Sequence, residues 1–151
     1  MPAQPIPYPS AHFDSVSAYD FLEHVPRVLP TADGQGTRFP FIELMNEVWR
    51  VLKPQGLFYA LTPAYPHAAA FQDPTHVNIL TGDTHVYFTR PALTGRMYGF
   101  TGDFAVRRVE RVKPRHDYEP AQRSWADELR HRARAWRGAL SHLVWELEAI
   151  K

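Results

Sequence analysis

Asp20, Glu23 and His24 fall within the short stretch "DFLEH", and His76 stands in "DPTHV" about fifty residues further on. Residues i, i+3 and i+4 of a helical turn share a face. A turn over 20–24 would therefore put two carboxylates and an imidazole side by side. That donor set suits a divalent cation, with His76 as a further ligand from a separate loop. His24 and His76 also have reference pKa values near 6.5, suited to a general base at neutral pH. A plainer reading has Glu23 and His24 capping and solvating a turn. Between residues 64 and 90, Tyr65, His67, Phe71, Asp73 and His85 add polar and aromatic candidates in a stretch without periodicity. A loop that long in a compact domain is more often functional than idle. Asp73-Pro74 equally suits a turn for backbone reasons, and His85 equally suits a surface position.

The elements that must position these groups can be read in order. Residues 1–11 hold four prolines and no period, which predicts an extended lead-in before a single domain over 12–151. "HFDSVSAY" (12–19) predicts a buried strand ending at Tyr19–Asp20. Phe41, Leu44, Met45, Val48 and Leu52 mark one face of a helix that begins at Pro40 and stops before Pro54 and Gly56. "LFYALTP" (57–63), apolar without alternation, predicts a strand covered on both faces. Strand, helix and strand make a βαβ unit with parallel strands and a right-handed crossover. Thr89 is expected to cap a short helix from Pro91 to about Tyr98. "FAVRRVERVK" (104–113) is a strand. The stretch from Pro120 to Leu140 is helical by composition, with Trp125, Leu129 and Ala133 on one face. "HLVWELEAI" (142–150) reads as a last strand near an edge or half-exposed, antiparallel to the strand before it. Trp49, Trp125, Trp136 and Trp145 are assigned to packing.

Composition narrows the function classes. The 151 residues carry a formal charge of +1 and no cysteine, which excludes disulfides, thiolate metal sites and cysteine nucleophiles. No global charge argues for nucleic acid. The segment 107–137 holds ten Lys/Arg against five Asp/Glu, a local basic face. No apolar run approaches the roughly 20 residues that span a bilayer, and the first residues lack signal-peptide character. The expectation is a cytoplasmic protein without a membrane partner.

"FDSVSAYDFLEHV" followed by "FIELMNEVWRVLKPQGLFYALTP" resembles the second half of a class I S-adenosylmethionine-dependent methyltransferase. "QDPTHVN" and "YGF" resemble members that act on sugars, glycolipids or similar polar molecules. The resemblance implies an α/β, partial Rossmann-like fold: a βαβ unit with parallel strands, then an antiparallel hairpin-like pair. It also implies S-adenosylmethionine as cofactor, with Tyr19 and Asp20 at its methionine end and Glu23 and His24 toward the acceptor. Tyr65, His67, Asp73 and His85 would then contact a small-molecule or glycan-type acceptor. Small-RNA 2′-O-methyltransferases have a comparable E-x-x-E-H turn and a later His that hold a metal, with Asp20 here in place of the first Glu. The family's glycine-rich turn after its first strand has no counterpart. "DGQG" (33–36) lies outside the strand-turn-helix context which that turn requires. The expected domain therefore lacks the first three strands, exposes a sheet edge and calls for a homo-oligomer, such as a dimer, or a partner chain. A catalytically inactive remnant serving assembly, and a divalent-metal-binding protein, are the alternatives.

Overall fold

The computed structural model describes residues 5–114 and 124–151. Strand β1 (Phe13–Tyr19) leads through a single 3-10 turn (Leu22–His24) into a two-residue hairpin pair, β2 (Leu29–Pro30) and β3 (Thr37–Arg38). Helix α1 (Pro40–Val51) follows, and β4 (Leu52–Pro63) leaves it without an intervening loop. A one-turn helix α2 (Ala69–Gln72) and two 3-10 turns occupy the long loop. The chain ends in β5 (Phe104–Val112), α3 (Trp125–Trp136) and β6 (His142–Ala149).

Helix α1 forms where its residues dictate. Pro40 occupies the first turn, where a missing N–H costs nothing, and Glu43 and Arg50 sit at the ends that suit their charges. Phe41, Ile42, Met45, Val48 and Val51 are buried. The buried stripe is thus rotated toward Ile42 and Val51, and the expected member Leu44 is only partly buried. Gly56 is required where β4 bulges against β1. A Cβ there would meet Lys53 O at 3.0 Å and Asp14 O at 3.2 Å.

The sheet order is β1-β4-β6-β5, with β1 parallel to β4 and the other two pairings antiparallel. Two expectations change. β6 lies at the centre of the sheet, not near an edge, and Leu143, Trp145 and Leu147 are fully buried in the core that α1 covers. β1 is the edge strand and is largely exposed, not buried. Among the described residues no strand pairs its outer side.

The second face of the sheet holds only a small cluster of Leu61, Val112 and Val144 with Tyr59 beside it. Leu57 stays exposed there, so β4 is covered fully on one face alone. The segment after Thr89 starts as a left-handed residue at Leu93 and a 3-10 turn over Thr94–Tyr98, with no side-chain cap. Thr89 instead donates its hydroxyl to His85 O at 3.1 Å. Trp49 and Trp145 pack as expected. Trp125 and Trp136 do not, because α3 buries none of its residues. The part of the predicted helix before Ser124 lies outside the described residues.

Candidate functional site

β1 and β4 run parallel, so Tyr19 and Leu61 bring their C-terminal ends together. Open α/β sheets bind ligands beyond that end. The chain turns there because Asp20 adopts φ 45°, a left-handed conformation that Asp tolerates better than most residues. Its amide still donates to Leu61 O at 2.9 Å. That reversal takes Asp20 out of the following turn, so Asp20 does not share a face with Glu23 and His24. Asp20 instead faces His142, with Oδ1 3.3 Å from Nε2.

The 3-10 turn carrying Glu23 and His24 is stitched to the distant loop. The Glu23 carbonyl accepts from both Val77 N and Asn78 N at 2.9 Å. Asn78, itself buried, donates from Nδ2 to Leu22 O at 3.1 Å and accepts from Arg27 Nε at 2.6 Å. Residues separated by more than fifty positions are thereby held as one unit, which brings His76 to Glu23 and His24.

Those three form a cluster whose candidate ligand atoms all lie within 4.8 Å of one another. The Glu23 side chain is 1% exposed. One oxygen, Oε2, accepts the Thr62 hydroxyl at 2.8 Å, while Oε1 has no hydrogen-bond partner. Buried polar atoms are nearly always paired, so this orphaned carboxylate oxygen calls for a partner such as a water or a cation. His76 Nδ1 lies 3.2 Å from Ala70 O, an acceptor, which fixes the proton on Nδ1 and leaves Nε2 free. His24 Nδ1 lies 3.3 Å from Thr75 O and 3.0 Å from Thr75 Oγ1, and that hydroxyl donates to Asp73. His24 Nε2 is likewise left free. Carbonyls that hold a ring by Nδ1–H and leave Nε2 open are the usual supports of metal-ligating histidines. One carboxylate and two imidazoles is also the donor set of open zinc sites. Ligands around a 2.0–2.1 Å ion sit roughly 3.5 Å apart, so the cluster need draw in by only about an ångström.

A surface cavity of about 520 Å³ opens on this cluster and is lined by Asp20, Asp73, Gln72 and His142 as well. His142 is held below the ordinary imidazole range chiefly by burial, against the raising influence of Asp20. Asp73 is held below the usual carboxylate range, first by the Thr75 hydroxyl and then by the Thr75 amide. Its side chain thus makes the turn that presents Thr75 to His24.

Other anticipated residues lie around the site or away from it. His67 Nδ1 accepts from Ala69 N at 3.1 Å. Tyr65 is exposed, edge-on to Phe71 at 6.4 Å. His85 points to Gly82 O at 2.8 Å and lies against Trp145, outside the cavity. Tyr19 is exposed and tilted on Tyr59 at 5.6 Å. Thr62, Asn78 and His142 were not anticipated. Only the position of Thr62 near the end of a parallel strand offered a signal in the sequence.

These residues do not by themselves make an S-adenosylmethionine site. Tyr19 and Asp20 sit exposed at an unpaired edge, and among the described residues neither a glycine cradle nor an acid at a second strand end adjoins them.

No protein-family model and no curated protein matches the chain. Solved structures do. One is the complex between the Haloferax volcanii Trm112 methyltransferase activator and a protein designated a methyltransferase (15% identity, TM-score 0.55, 97% of this chain and 58% of that one). A second is a SAM-dependent methyltransferase from Archaeoglobus fulgidus (12% identity, TM-score 0.52, 93% and 61%). A third is the [4+2]-cyclase SpnF (18% identity, TM-score 0.51, 96% and 52%). The chain thus spans between half and two thirds of the length of each. At these identities the likeness establishes architecture, and a cyclase among the three illustrates that one fold hosts several reactions. With its parallel β1–β4 pair, α1 crossover and antiparallel β5–β6 pair, the chain has a partial class I methyltransferase-like fold.

Proposed function

We propose that the chain forms the acceptor-side part of an S-adenosylmethionine-dependent methyltransferase. The cofactor side would come from a further segment or a partner chain, paired with the open edge of β1. The observation that supports this most is the pairing of that edge with a polar cluster at its C-terminal end. Tyr19 and Asp20 would border the cofactor side. Glu23, His24 and His76 would face a polar, oxygen-bearing acceptor, with Tyr65, His67 and Asp73 at the rim. In such a site the chain's own work is to hold the acceptor oxygen in line and to take up its proton. The solved relative bound to Trm112 illustrates that a protein of this fold works with a second chain.

A second reading, favoured by the orphaned Glu23 Oε1, is a divalent-metal centre at Glu23, His24 and His76. The two are compatible, since a cation there would grip the acceptor oxygens.

Calorimetric titration of the chain with Mn²⁺ or Zn²⁺ tests the metal centre: binding that is lost in Glu23→Ala supports it, and silence counts against it. The chain alone is expected to bind S-adenosylmethionine weakly at best, since its cofactor side comes from elsewhere. Methyl transfer is therefore tested by the same titration with the segment or chain that pairs with β1 present. Micromolar S-adenosylmethionine binding there supports it, and silence there leaves an assembly subunit.

A further inference from the structure

Helix α3 (Trp125–Trp136) is properly begun, with the Ser124 hydroxyl accepting from Asp127 N, yet none of its residues is buried. Trp125, Leu129, Ala133 and Trp136 follow i, i+4, i+8 and i+11, which is one stripe along a helix turning about 100° per residue. That stripe faces solvent: Trp125 is 80%, Leu129 57% and Trp136 89% exposed. The opposite side of the helix meets the sheet through His131, whose Nε2 lies 3.1 Å from Glu110 Oε1 on β5. The anchoring contact thus turns the apolar stripe outward.

Arginines border the stripe on both sides. By the helical angle, Arg130 and Arg137 fall along one flank and Arg132 along the other. From Ser124 to Gly138 there are four arginines against two acids. Arg130 and Arg132 pair within the helix to Asp127 and Glu128, both at 3.0 Å. These are solvated i,i+3 and i,i+4 pairs of small worth, easily exchanged for other anions.

We propose that α3 docks lengthwise on a bilayer surface containing anionic lipids. Leaving two whole indoles in water is costly, and the indole, apolar with one N–H, is best placed at headgroup level. A tryptophan at each end and cations along both flanks match a flat, negatively charged plane that contacts stripe and flanks together. A protein groove would have to leave one row of guanidinium groups facing its walls. No helix among the described residues is long and apolar enough to cross a membrane, and that has no bearing on a helix lying in the interface. This inference is independent of the methyl-transfer reading.

The test is co-sedimentation of the full chain with phosphatidylcholine vesicles, with and without 30 mol% phosphatidylglycerol. The expected result is binding only to the anionic vesicles, weakened at least tenfold between 50 and 500 mM NaCl. Brominated acyl chains should quench tryptophan emission. Trp125→Ser/Trp136→Ser should lose binding at least tenfold, and Arg130→Gln/Arg132→Gln/Arg137→Gln should lose it comparably. Unchanged far-UV circular dichroism would show that these exposed changes leave the fold intact. Absence of binding, or binding that the double tryptophan variant retains, would overturn the proposal. So would a dimer by light scattering that this variant dissolves while vesicles stay unbound, since the stripe would then belong to a protein interface.

Discussion

Glu23 Oε1 lies 4.0 Å from His76 Nε2, and Oε1 has no hydrogen-bond partner. A buried carboxylate oxygen in that position calls for a donor or a cation between it and the ring.

Glu23→Gln supplies such a donor. Its amide can reach His76 Nε2 while its carbonyl keeps the Thr62 hydroxyl. The metal-free variant is expected to melt no lower than the parent, by up to about 1 kcal/mol more stable. Its melting temperature should no longer respond to Zn²⁺ or Mn²⁺, whereas the parent's should rise with ligand concentration. A metal response retained by the variant would remove Glu23 from the ligand set.

Asn78 contributes no ligand atom, yet it ties Leu22 O to Arg27 and shares the Glu23 carbonyl. Asn78→Ala leaves Leu22 O with Val25 N alone and deprives Arg27 Nε of its acceptor, and it is expected to cost about 1 kcal/mol in urea unfolding. Metal affinity should fall as well, although every ligand remains. Full affinity in a destabilised variant would show that the cluster does not depend on this tie.

His142 gives the pH dependence a sign. Its imidazole is held below the ordinary value by burial. As the pH falls past about 6.5, the unfolded chain takes up its proton first. Stability should therefore be full above that pH and decline below it, until the folded imidazole is protonated too. Thermal melts between pH 7.5 and 5.5 should drop by a few degrees, with a shallower slope in His142→Gln. A parent that becomes more stable on acidification would contradict this.

The unpaired side of β1 predicts self-association at high concentration, since open edges template further strands. Light scattering should detect it, and Ser15→Lys/Ser17→Lys, both at exposed edge positions, should reduce it. A clean monomer at millimolar concentration would mean that the edge needs no cover.

The βαβ unit was legible in the sequence because its signals are local: the period of α1, Pro40 at its start and the apolar run of β4. The place of β6 was not. Its alternation suggested a half-exposed strand, whereas Leu143, Trp145 and Leu147 face the core and Val144 supplies the small cluster on the other face. Pairing on both sides is decided by β4 and β5, which sequence neighbours cannot reveal. At the site, Glu23, His24 and His76 were legible from their residue types. Asp20 was misplaced because a helical turn was assumed, whereas the chain reverses hand at φ 45°. His142 escaped notice because it reaches the cavity from a strand more than a hundred residues away. Trp125 and Trp136 carry no local signal of exposure, since tryptophan mostly packs and only the placement of α3 turns them outward.

The central position of β6 has a consequence for the nascent chain. β5 has β6 as its only strand neighbour in the four-stranded sheet, and β4 reaches β5 only through it. While residues 142–149 are still within the ribosome, the β1–α1–β4 unit stands outside with one side of β4 open. Phe58 and Met45 then lack the Trp145 and Leu147 that complete their core. At roughly 5–20 residues per second, that exposure lasts for seconds. Closure waits for β6, which pairs with the open side of β4 and brings β5 into the sheet with it.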